Sequence, residues 1–96
     1  MPSDKLKRLS RYYTVVGQVQ RVCFRATAKQ HADRLGVNGF VRNLSDGTVE
    51  LCITGTEGEA LALLEAMFQS PPPIHILSIS IKQVTQPAKH TSFEII

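Results

Sequence analysis

The alternation of apolar and polar positions divides the chain into seven segments. Tyr12 through Val19 opens on aromatic and β-branched residues with no breaker before Gly17, which predicts a strand. From Cys23 to Leu35 the period becomes helical: Phe24, Ala28, His31/Ala32 and Leu35 share a face, and Gly36 is the expected stop. Val37–Leu44 and Thr48–Ile53 are apolar-rich runs joined through Ser45-Asp46-Gly47, a strong hairpin signal because glycine accepts the positive φ of a tight turn. Thr56 and Glu59 form a capping-box pattern that opens a second helix ending near Gln69. Leu61, Leu64 and Phe68 are expected inward there, with Leu63 and Met67 beside them, and Pro71-Pro72-Pro73 forbids continuation. Ile74–Val84 returns to alternation, with Leu77, Ile79 and Ile81 on one face. Ile74 and Ile76 fall out of phase with that set, which suggests either a bulge or a short lead-in there. Ser92–Ile96 reads as a short last strand.

This order predicts an α+β, ferredoxin-like βαββαβ sandwich: an antiparallel sheet, two helices on one face, and a short fifth terminal strand. The 96 residues make one domain, and 43% hydrophobic with 20% charged residues is a globular mixture. No run approaches the ~18 apolar residues of a membrane span, and no apolar stretch follows the N-terminal charges. A cytoplasmic monomer without membrane partners is the simple expectation.

The net charge of +3 hides a polarity. Residues 1–11 carry +3 and read as a basic, mobile arm before a domain at 12–96. Residues 21–46 also carry +3 while 47–96 carry −3, which suggests a local anion site in the first half. Nucleic acid is not an expected partner, since backbone binding recruits a continuous basic patch and no RNP-type aromatic pattern is present. Cys23 and Cys52 cannot form a disulfide framework. His31, His75 and His90 share no ligand spacing, so no metal is expected.

Candidate chemistry concentrates between the first strand and first helix, Gly17-Gln-Val-Gln-Arg-Val-Cys-Phe-Arg25. A loop feeding a helix N-terminus aims N–H groups at one point, and the helix dipole adds positive potential. Arg25 lies in the first turn, where that dipole disfavours a cation; it reads either as a surface arginine or as a fork for an anion. Asn43 lies near the end of the second strand, just before the hairpin. It reads either as a turn former or as an amide holding a water or substrate oxygen, partly buried if it shares Val41's face. Cys23 reads as a buried, inert thiol more simply than as a nucleophile, since no histidine stands nearby in sequence.

The segment Gly17–Arg25 resembles the acylphosphatase signature G-x-V-Q-G-V-x-F-R. Leu35-Gly-Val-Asn-Gly-Phe-Val-Arg-Asn43 resembles that family's L-G-x-x-G-[WY]-V-x-N, and Asp46-Gly-Thr-Val-Glu50 its D-G-x-V-E. Gly55 and Phe93-Glu94-Ile95 also fit, so the likeness spans residues 12–96. The resemblance implies an enzyme that hydrolyses acyl phosphates to a carboxylate and inorganic phosphate without metal or cofactor. Its partners would be a small acyl phosphate and inorganic phosphate, as product or inhibitor. By position, Arg25 would clamp the phosphoryl group with loop amides from Gln20, Arg21, Val22, Cys23 and Phe24, and Asn43 would orient the attacking water. Arg21 stands where the signature has glycine; a positive φ there would cost a non-glycine residue about 1–2 kcal/mol. Two outcomes stay open: a working enzyme, or a module of the same fold that binds phosphate and no longer turns over.

Overall fold

The computed structural model describes residues 7–87 and 90–96. Strand β1 (Leu9–Gln18) leads into helix α1 (Phe24–Leu35), followed by β2 (Asn38–Asn43) and β3 (Val49–Gly55). Helix α2 (Glu57–Phe68), β4 (His75–Thr85) and β5 (Phe93–Ile95) complete the chain. The sheet order is β4-β1-β3-β2-β5, the split arrangement expected. Its first four strands are antiparallel, but β5 lies parallel to β2, so the sheet is mixed rather than antiparallel throughout. A chain that leaves β4 at one edge and crosses to the other arrives at β2 already pointing that way.

Both helices cover one face, α1 over β2 and β5 and α2 over β3. Tyr13, Val15, Val41, Leu51 and Ile53 face them from the sheet. Ala28 and Ala32 are fully buried, and side chains this small let α1 lie close to the strands. Gly36, at φ 71°, ends α1: its N–H reaches Asp33 O, and Val37 N–H reaches Ala32 O. The Thr56/Glu59 capping box is present, with both reciprocal bonds made.

Three expectations need correction. The first strand starts at Leu9, inside the segment expected as an arm. Ser10 Oγ bonds Thr54 Oγ1 at 2.8 Å, and Arg11 Nη1 donates to Gly55 O at 3.1 Å, so these polar residues are buried with partners. Residues 1–6 of that arm lie outside the described residues. In α2 the inward residues are Ala60, Leu63 and Met67, whereas Leu61 and Phe68 are exposed. That helix is apolar on nearly every side, so period alone does not select its buried face. Of the face expected inward in β4, Leu77 and Ile81 are exposed and only Ile79 packs against the core, while Ile74, just before the strand, is buried. The bulge is real: the register with β1 skips Leu77, and skips again at Lys82. On either side of Leu77, Ile76 and Ile79 are the β4 residues that pack against the core.

Candidate active site

The site forms where the C-terminal ends of β1 and β2 meet the N-terminus of α1. Gly17, near the end of β1, is at φ 144°, and a Cβ there would overlap the His75 carbonyl across the strand pair. Beyond it, Arg21 (φ 62°) and Cys23 (φ 63°) are both left-handed while Val22 between them is not. This alternation turns successive N–H groups toward one concavity, the arrangement of an anion-binding nest. No protein acceptor answers the N–H groups of Arg21, Val22, Cys23 and Phe24 among the described residues. Cys23, exposed rather than buried as expected because it stands at the open mouth of the loop, is also the N-cap of α1 and supplies no side-chain cap, and no acid occupies the first turn. The helix N-terminus therefore keeps its positive potential for a ligand.

Arg25, half-buried, projects from the first turn of α1 and is braced by a long hydrogen bond from Nη1 to Ile96 O, 3.4 Å. The Ile96 N–H in turn bonds Val41 O, which ties that brace to β2. Asn43 ends β2 opposite Val49. It is exposed rather than partly buried: the strand end lies beyond the cover of α1, although Val41 on the same side is fully buried. Gln20 joins the two halves. Its Nε2 donates to Leu44 O and Thr48 O, both at 2.8 Å, pinning the loop to the hairpin that follows Asn43. At the hairpin tip, Thr48 donates twice to Asp46 Oδ1, which holds that carboxyl below the usual range.

These parts enclose a cavity of about 380 Å³, with Arg21, Cys23, Arg25 and Asn43 on its lining. Val19, Phe24, Ala26 and Ile95 supply the apolar part. Among the described lining residues there are two guanidiniums and no carboxylate. The lining is thus electropositive on one side and apolar on the other. Of the residues expected from the sequence, Arg21, Cys23, Phe24, Arg25 and Asn43 come together here. Val22 instead packs against the core, and the Gln20 side chain faces the hairpin. Ile95 and the Gln20 tether escaped sequence reasoning, because each depends on a partner far away along the chain. Among the described residues, no group of three or more His, Cys, Asp or Glu is placed to hold a metal ion. No helix among them is long and apolar enough to cross a membrane.

Fold and site together define an α+β sandwich with a cavity lined by arginines and unanswered amides at the start of its first helix. Comparison with known proteins agrees: the family model Acylphosphatase matches residues 11–95. A Rhizobium meliloti acylphosphatase is 33% identical over 99% of this chain and 97% of its own. One from Halorhodospira halophila is 40% identical over 78% of this chain and 82% of its own. The crystal structure of an acylphosphatase from Bacillus subtilis superposes with a TM-score of 0.82 at 30% identity, covering 92% of this chain and 98% of that one. The chain belongs to the acylphosphatase family.

Proposed function

We propose that the protein hydrolyses acyl phosphates to a carboxylate and inorganic phosphate by direct attack of water on phosphorus. The observation that supports this most strongly is the meeting of Arg25, Asn43 and the unanswered loop amides at one cavity. The phosphoryl oxygens lie in the nest, bonded by N–H groups of residues 21–24, with the Arg25 guanidinium completing the clamp. The Asn43 amide, with no side-chain bond among the described residues, holds the nucleophilic water. A new P–O bond forms to that water while the bond from phosphorus to the acyl oxygen breaks. The electron pair leaves with the carboxylate, and the water's proton passes to phosphate oxygen or solvent.

A carboxylate is stable once expelled, so the leaving group needs no general acid. Phosphoryl transfer is served chiefly by positioning and by charge stabilisation, and Arg25 with the aligned amides supplies both. This chemistry asks for no metal, so a chelator should leave the rate unchanged. The left-handed conformation that Arg21 adopts keeps the nest's alternation, which favours the enzyme over the phosphate-binding module. A test is hydrolysis of benzoyl phosphate in ¹⁸O-water. Label in phosphate is the expected result; label in benzoate would place the attack at carbon, and a folded protein without turnover would leave the binding module.

A further inference from the structure

Arg21 lines the cavity, is exposed, and makes no ion pair or side-chain hydrogen bond among the described residues. It occupies a left-handed backbone position that disfavours a side chain, at the place where the resembling signature has glycine. The phosphoryl group already has its partners, in the loop amides and the half-buried Arg25. A second, exposed guanidinium with no carboxylate beside it on the cavity lining is therefore surplus to a phosphate clamp. We propose that Arg21 is a specificity residue that selects acyl phosphates bearing a second anionic group on the acyl chain. The inference rests on the reading of this cavity as an acyl phosphate site. The phosphoryl end sits in the nest against Arg25, and the acyl group runs past Val19 and Ile95 toward solvent. A carboxylate at its far end then meets the Arg21 fork, which suits two parallel hydrogen bonds.

The test compares 4-carboxybenzoyl phosphate with 4-methylbenzoyl phosphate, rigid substrates of similar shape. In the natural protein kcat/KM should favour the carboxylated substrate by roughly three- to tenfold at low ionic strength, as for an exposed charge-assisted contact. Salt should erode that ratio. It should fall to about one in Arg21→Gln and in Arg21→Gly, which also relieves the backbone, and survive in Arg21→Lys. An unchanged ratio in the uncharged variants overturns the proposal, as does a parallel loss for both substrates, which would make Arg21 part of the phosphate clamp. If folded protein turns over neither substrate, the hydrolytic reading fails and calorimetry with the two matching benzoylphosphonates still decides this one. Tighter binding of the carboxylated phosphonate, lost in Arg21→Gln, supports it; equal affinities overturn it.

Discussion

Replacing Gln20 by methionine keeps length and volume while removing both hydrogen bonds from Nε2 to Leu44 O and Thr48 O. A hydrogen bond of this kind contributes about 0.5–1.5 kcal/mol net, so the pair is worth about 1–3 kcal/mol. Neither carbonyl is orphaned, because Leu44 O still accepts from Gly47 N at 3.2 Å and Thr48 O from Leu44 N at 2.9 Å. The cost therefore belongs in the lower half of that range, about 1–2 kcal/mol. For a domain of this size the melting temperature should fall by about 5–15 °C, and the urea midpoint should drop with an unchanged slope. The loss also frees the Asn43 hairpin to shift relative to the phosphate loop, and kcat for benzoyl phosphate should fall by about tenfold or more. Equilibrium unfolding and initial rates on the same preparation read the two effects separately. An unchanged midpoint would refute the tether, and a lowered midpoint with unchanged kcat would refute its positioning role.

Two further outcomes concern the scaffold. Thr56→Ala removes the N-cap of α2 and should cost about 1 kcal/mol in urea unfolding. Its partner Glu59 has a carboxyl held low by the Thr56 backbone N–H and, next, by Arg8. A depressed carboxyl stabilises the fold above its unfolded-state pKa and ceases to do so as pH falls through the lower, folded-state value. The stability advantage of the natural protein over Glu59→Gln should thus be full at neutral pH and fade below pH 4.5 on acid titration. Gly39, at φ 144°, has no room for a Cβ because the Cys52 carbonyl occupies it. Gly39→Ala should therefore separate β2 from β3 and destabilise by about 2 kcal/mol or more in the same assay; an alanine tolerated without loss would contradict this close approach.

What was legible in the chain was what neighbouring residues decide among themselves. The Thr56/Glu59 cap, the Asp46-Gly47 hairpin and the Gly36 stop each complete their bonds within a few residues, and each stands where the pattern placed it. The segment from Gly17 to Arg25 was readable for the same reason, since its loop and helix start are contiguous. The inward face of α2 was not, because Leu61, Leu64 and Phe68 are as apolar as the Leu63 and Met67 that are buried. Strand β4 misled in another way: its alternation is strand-like, but the bulge at Leu77 breaks the phase, so Ile76 and Ile79 pack against the core while Leu77 and Ile81 are exposed. The early start of β1 depends on Thr54 and Gly55 on a distant strand, and the parallel pairing of β5 depends on where the chain arrives. Asn43 does lie on the cavity lining, yet its exposure, where partial burial was expected, is nothing that a local pattern records.

The central claim is that Arg25 and Asn43 act together with the loop amides on an acyl phosphate. Its most direct test is steady-state hydrolysis of benzoyl phosphate with excess chelator, by the natural protein, Arg25→Ala and Asn43→Ala, each shown to be folded. The account predicts rapid turnover indifferent to chelator, a loss of about 10³-fold or more in kcat/KM for Arg25→Ala, and about 10²–10³-fold for Asn43→Ala. Near-full activity in either folded variant, or none in the natural protein, would contradict it.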